Sequence, residues 1–269
     1  MSSIIKIDGL TYKIKEKIIL ENIKLDIEKN TWVSIIGPNA SGKTTLIKIL
    51  AGILPYNGYI NINNFVLDNQ NKKEIRKSIA VVLDDTENQL INQTVLEELS
   101  FAMENLNYPK EEIEEKIKQI SKEFMIENLL NEKIQNITNS EKQLVNIVSN
   151  LVTNPSILVL DDALHQMEPS TKEMFLNNLK RYKKKNKLTI VMSTHNLEET
   201  LITDRVIIID NKKIIADSTP LSILKQEKLL SSASLEQPFI IELSQKLMLY
   251  NLINHTYLDK RKLVDDLWK

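Results

Sequence analysis

Apolar and polar positions alternate through most of the first sixty residues. IIKIDGLTYKI and KIILENIKLDI set isoleucine and leucine at about every second place, the period of half-buried strands. TWVSIIG is instead an unbroken apolar run ending on Gly37, as expected of a strand buried on both faces. Helical spacing takes over in TTLIKILAG, with Gly52 placed to cap the helix C-terminus, and GYININN and KSIAVVL return to strands. From about Thr94 to Val152 the spacing is helical, including the charged amphipathic stretch KEEIEEKIKQISKEF. SILVLD and LTIVMSTH then predict strands separated by the helix PSTKEMFLNNLKRYKKK, which has Pro169 near its start. NLEETLI reads as a helix, RVIIID and KKIIADS as a hairpin, and the chain beyond about Pro220 as mainly helical. No internal repeat and no low-complexity linker interrupts this order. Strands alternating with helices imply an α/β fold, here a parallel sheet with a helical insertion.

Composition narrows the picture. The 269 residues suffice for one α/β domain with an appendage or for two small domains. A net charge of -1 supplies no field for a polyanion. The basic run KRYKKKNK, Lys180 to Lys187, reads as the end of a helix, where cations are favoured. With no cysteine, disulfide scaffolds and thiolate metal sites are excluded. The opening MSSIIKIDGL has no signal-peptide pattern, and no window approaches the ~20 apolar residues of a membrane span. The expectation is a cytosolic chain that reaches a membrane only through partners. All five glycines lie at or before Gly58, so each is expected where the backbone needs it.

Three stretches carry chemistry. GPNASGKT, residues 37 to 44, fits G-x-x-x-x-G-K-[ST] between a strand and a helix. Its glycines let successive N–H groups point at a phosphate, with the helix dipole behind them. Lys43 would reach the β- and γ-phosphates and the Thr44 hydroxyl a Mg²⁺ position. SILVLDD ends a buried strand on two carboxylates, and Asp161 stands where an acid holds Mg²⁺ through water. MSTH places His195 at the end of the following strand, within reach of a γ-phosphate. A fourth stretch, QNITNSEKQLVNIVSN, contains no glycine; Thr138-x-x-Glu141 fits a capping box, followed by the apolar stripe Leu144, Val145, Ile147, Val148, Leu151 and Val152.

With these residues in hand, the chain resembles the ATP-binding subunits of ABC transporters, and most closely those of energy-coupling factor (ECF) transporters. The resemblance covers nearly the whole length and rests on GPNASGKTT, ENQLINQTVLEELSFAMENL, ILVLDDALHQMEP, STH and the tail pieces LEQPFIIELSQKL and LVDDLWK. It implies an ABC-type P-loop NTPase with a RecA-like core, an N-terminal antiparallel β portion, a helical subdomain and a C-terminal helical appendage. The implied bounds are 1–225 for the ATP-binding domain, with the subdomain at about 90–150, and 226–269 for the appendage. The resemblance implies ATP held by Gly37, Pro38, Asn39, Ala40, Ser41, Gly42, Lys43, Thr44 and Thr45. It implies Mg²⁺ at Thr44 and Asp161, with Asp84 a further candidate, and hydrolysis served by Asp162 and His195. In that family two ATPase subunits pair head to tail, each nucleotide lying between one phosphate loop and the other subunit's LSGGQ signature. The implied partners are a second ATPase with better-kept motifs, a transmembrane coupling subunit and a substrate-binding membrane subunit, and no nucleic acid. The location implied is peripheral, on the cytoplasmic face of the membrane.

Several positions depart from the family pattern. The signature falls on Ile137, Thr138, Asn139, Ser140 and Glu141, without its glycines and glutamine. The catalytic glutamate becomes Asp162, whose carboxylate is shorter by one C–C bond, roughly 1.5 Å. The glutamine facing metal and membrane subunit becomes Asp84, the adenine-stacking aromatic becomes Ile14 with Tyr12 two residues away, and the aspartate of the next loop becomes Glu168. Slow or asymmetric hydrolysis is the expectation, and Asp84-Asp85-Thr86-Glu87 is expected to dock the membrane subunit. Other readings stand beside this one. They are a non-hydrolysing structural subunit with nucleotide as dimer glue, an ABC ATPase acting on nucleic acid or ribosomes, and a P-loop small-molecule kinase, for which only four arginines are available.

Overall fold

The computed structural model of the chain describes residues 3–84 and 89–268. The alternating N-terminal segments form the antiparallel hairpin β1 (Ser3–Ile14) and β2 (Lys17–Glu28). After β3 (Trp32–Ile36) and helix α1 (Lys43–Leu50), β4 (Asn57–Ile62) returns to pair with β1, and the short β5 (Phe65–Val66) closes a four-stranded sheet ordered β2-β1-β4-β5. Helix α2 (Lys72–Ser78) leads into β6 (Ile79–Val82). Lys77 and Ser78, expected in the strand, therefore close a helix, and Ser78 Oγ donates back to the Ile75 carbonyl at 2.9 Å.

The insertion is helical as expected: α3 (Val95–Asn105), α4 (Lys110–Phe124) and α5 (Asn139–Leu151). The core resumes with β7 (Ile157–Asp161), α6 (Pro169–Asn186), β8 (Thr189–Ser193), β9 (Arg205–Asp210) and β10 (Lys213–Ser218). These strands make a six-stranded sheet ordered β10-β9-β3-β8-β7-β6, parallel except for β10. NLEETLI forms a 3₁₀ run, Leu197–Ile202, where an α-helix was expected. Thr200 and Thr203 donate their hydroxyls to carbonyls three residues back, at 2.7 and 2.9 Å, and such local bonds compete with regular α-helical pairing. Helices α7 (Pro220–Leu224), α8 (Glu227–Ser232), α9 (Phe239–Leu249) and α10 (Lys260–Leu267) complete the chain.

Alternate side chains of the buried strands serve different cores. Ile157 and Val159 face the antiparallel sheet and α1, while Leu158 and Leu160 face the helical insertion and α6. A third core joins Ile36, Val206 and Ile208 to Ile223, Leu224, Ile240 and Ile241 of the C-terminal helices. The five glycines all have positive φ. Gly52 sits just past α1, with its N–H bonded to Ile49 O and the next N–H to Lys48 O, the paired bonds of a Schellman cap.

Candidate functional site

The central strand β3 delivers the phosphate loop. Gly37 has φ +153, and a Cβ there would stand 2.1 Å from the Ile209 carbonyl oxygen, so only glycine fits. The loop then turns through Ala40 at φ 61 and Gly42 at φ 107 into α1. Pro38, Asn39, Ala40, Thr44 and Thr45 keep some exposure, while Gly37, Ser41, Gly42 and Lys43 are buried. Lys43 is 5% exposed, and its ammonium donates to the Gly37 and Pro38 carbonyls at 2.8 and 3.0 Å. Burial pushes the Lys43 pKa down, and the charges of Asp162 and Asp161 pull it back up.

Strand order brings the acids and the histidine to this loop. β8 lies between β3 and β7, so the residues following all three strands meet at one sheet edge. Asp161, 1% exposed, accepts from Ser193 Oγ at 2.6 Å and from Thr44 Oγ1 at 3.2 Å. Desolvation raises its pKa, the bonds from Ser193 and Thr44 lower it, and the charges of Asp162 and Asp84 raise it. The donor set is oxygen only, from one hydroxyl and one carboxylate, which suits a hard cation that takes its remaining ligands from phosphate and water. Among the described residues no cluster of three or more His, Cys, Asp or Glu forms a metal cage. Thr44 and Asp161 together fit Mg²⁺ as two oxygen ligands of a site completed from elsewhere.

Asp162 takes a left-handed backbone, φ 48, and its N–H donates to Ser193 O and Ser193 Oγ, both at 3.1 Å. Its carboxylate lies 3.9 Å from His195 Nε2. Asp84 joins the same edge: its Oδ1 is 3.0 Å from His165 Nδ1, which also lies 2.9 Å from the Asp162 carbonyl oxygen. Asp85, Thr86 and Glu87, expected to continue that acidic loop, lie outside the described residues. Sequence reading overlooked Ser193 and His165. A hydroxyl inside the apolar strand TIVMS was the available signal for Ser193, and its partner followed only from the register Asp161↔Ser193. Ile14 is 53% exposed, whereas Tyr12, half-buried, packs against the core.

The helix α5 begins with a complete capping box. Thr138 Oγ1 accepts from the Glu141 N–H at 3.2 Å, and Glu141 Oε2 accepts from the Thr138 N–H and hydroxyl at 2.8 and 2.9 Å. The helix N-terminus thus holds its own carboxylate. Ser140 Oγ accepts from the Glu168 N–H at 3.1 Å, joining this turn to the start of α6. Thr138→Ala should cost about 1 kcal/mol of stability in chemical denaturation. An unchanged midpoint at unchanged slope would show that the box contributes nothing.

A cavity of about 660 Å³ opens beside the loop, walled by Gly37, Asn39, His195, Glu198, Gln237 and Phe239. Glu198 Oε1 accepts from the Phe239 N–H at 3.2 Å and ties the start of α9 to the turn after His195.

The sequence pattern of the family described as ABC transporter matches residues 20–165. An energy-coupling factor transporter ATP-binding protein, EcfA1, of Listeria innocua is 30% identical over 271 residues, covering 99% of this chain and 97% of that protein. EcfA of Pediococcus pentosaceus, named likewise, is 30% identical over 243 residues, covering 89% and 87%. Among solved structures, cbiO1 of Clostridium perfringens, described as part of the ABC transporter complex cbiONQ, superposes with a TM-score of 0.79. It is 26% identical and covers 91% of this chain and 100% of its own. The ATP-binding cassette MJ0796, solved as a dimer bound to ADP and Pi, gives a TM-score of 0.72 at 25% identity, covering 80% and 98%.

Proposed function

Because the chain belongs to the ABC transporter family, with ECF ATP-binding proteins as relatives over nearly its whole length, we propose that it is an asymmetric ATPase subunit powering uptake of a vitamin or a metal ion. It binds ATP, as the family does. In our reading Lys43 exchanges its two loop carbonyls for phosphate oxygens, while the loop N–H groups from Gly37 to Thr45 cradle the phosphates. Mg²⁺, bound with the nucleotide, would neutralise phosphate charge, and Thr44 and Asp161 are the residues that would hold it. Ser193 and Thr44 both donate to Asp161 and hold its carboxylate in place. Asp162 is assigned to orient the attacking water, and His195, beside it, to meet the γ-phosphate. We assign residues 1–225 to the ATP-binding unit and 226–269 to its appendage.

One observation carries the asymmetry: the α5 N-terminus is occupied by the Glu141 carboxylate. Those N–H groups serve an incoming γ-phosphate poorly, and the carboxylate adds a repelling charge. A second ATPase with an open signature would therefore complete the site built on this chain's phosphate loop. The transmembrane coupling subunit and the substrate-binding membrane subunit complete the proposed assembly, which holds the chain at the cytoplasmic face. No helix among the described residues is long and apolar enough to cross a membrane. Asp84 is proposed to face the coupling subunit, with His165 as its competing partner within the chain.

The test is turnover of the chain alone and with its partners. Alone it should hydrolyse fewer than about one ATP per second, the low end of ordinary enzyme rates, and the assembled transporter should exceed this at least tenfold. Several turnovers per second from the isolated chain would overturn the asymmetric reading. Asp162→Glu should raise the assembled rate, since a misplacement of ~1 Å can cost ~10²-fold.

A further inference from the structure

The loop carrying His195 is held by a buried carboxylate, Glu199, outside the residues assigned to the nucleotide. Glu199 is 5% exposed and both its oxygens are engaged. Oε2 accepts from the Thr194 hydroxyl at 2.7 Å, and Oε1 accepts from Lys172 Nζ, also at 2.7 Å. The Thr194 oxygen accepts in turn from the Asn196 N–H at 3.0 Å, so one hydroxyl brackets His195 from both sides. Thr194 is 1% exposed, and its N–H donates to Ile35 O at 3.2 Å, on the strand that feeds the phosphate loop. Lys172 stands in the first turn of α6, its N–H bonded to Glu168 O at 2.8 Å.

We propose that Glu199 is a positioning residue for His195, fixing the Thr194–Asn196 turn through the Thr194 hydroxyl and anchoring it to α6 through Lys172. The proposal rests on the assignment of His195 to the hydrolytic site. The geometry explains why a charge is tolerated in so dry a place. A carboxylate with both oxygens paired accepts charge-assisted bonds, which are stronger and more directional than neutral ones. Each bond fixes a different element: one sets the turn, the other sets its distance from α6. A turn held only by backbone bonds would leave the imidazole free to swing. With Thr194 bonded through its N–H, its hydroxyl hydrogen and its hydroxyl oxygen, the backbone on either side of His195 is restrained. Precise placement of this kind governs rate more than affinity.

Removing one partner of a buried ion pair strands the other, so single truncations would confuse positioning with unfolding. Two double variants avoid this. Lys172→Met with Glu199→Gln removes the ammonium and keeps an oxygen to accept from Thr194. Lys172→Met with Glu199→Met removes that oxygen as well, at similar volume. The full-length chain, labelled at its histidine rings, is examined by NMR, and the assembled transporter is assayed for ATP hydrolysis. The glutamine double should keep the His195 ring signal and most of kcat. The methionine double should shift or broaden that signal and lower kcat at least tenfold, with KM for ATP within twofold of the parent. Should either double fail to fold, Thr194→Val against Thr194→Ser makes the same comparison, with serine retaining the hydroxyl. Identical His195 signals within the pair would overturn the proposal, as would parallel losses in kcat and KM. His195→Ala, assayed beside them, separates the two ideas. Full activity there, with the signal still displaced in the methionine double, would refute the role of His195 and leave its positioning by Glu199 intact.

Discussion

Lys43→Ala is expected to weaken MgATP binding by at least tenfold, and by up to about a hundredfold, in titration calorimetry. The ammonium is almost wholly buried and makes two short bonds to the carbonyls of the loop it serves. Burial pushes its pKa down and the charges of Asp162 and Asp161 pull it back up, so a phosphate beside it would favour its charged form. A hydrogen bond to a charged group contributes about 1.5–3 kcal/mol, and each 1.4 kcal/mol is a factor of ten in affinity. Equal affinities for parent and variant would refute the assignment of the loop.

The largest loss of stability is expected from Phe124→Ala, about 3–5 kcal/mol by chemical denaturation. Phe124 ends α4, is fully buried, and lies 5.8 Å from the ring of Phe175 and 5.6 Å from that of Tyr182, centroid to centroid. Both neighbours belong to α6, so the ring joins the helical insertion to the core. Aromatic pairs of this tilted kind add to simple area burial. Tyr182 is itself fixed, donating to the Leu151 carbonyl at 3.1 Å, and cannot collapse readily into the void. Typical domains have only about 5–15 kcal/mol of stability to lose. Phe124→Leu should recover most of the deficit. A cost below about 1 kcal/mol for the alanine variant would mean that the insertion is fastened elsewhere.

Features set by neighbouring residues were legible in the sequence, and features set by strand register were not. GPNASGKT is eight consecutive residues, and it forms the expected glycine turn between β3 and α1, with Gly37 and Gly42 at positive φ. The Thr138–Glu141 box spans four residues and formed as expected. The basic run after Lys180 ends α6 on Lys187 in the left-handed conformation. By contrast, the bond from Ser193 to Asp161 joins residues 32 apart and exists because β7 and β8 align in one particular register. The His165–Asp84 contact needs the strand order as well, and no local pattern announces it. The start of β6 and the tight 3₁₀ run after His195 were misjudged for a smaller reason. Serine and threonine hydroxyls bonded their own backbone and moved the boundaries that apolar periodicity alone had indicated.

Ile36, the residue just before Gly37, buries its side chain with Val206 and Ile208 among the C-terminal helices. The last helices thus roof the very strand end from which the phosphate loop springs. Truncation at 225 would keep Ile223 and Leu224 but strip Leu230, Ile240, Ile241 and Ile253 from this core, at about 25 cal/mol for each Å² of apolar surface exposed. The appendage is a late addition along the chain, yet in folding it is masonry shared with the nucleotide loop. Domain grafts that exchange one tail for another would have to match its apolar contour at Ile36, Val206 and Ile208.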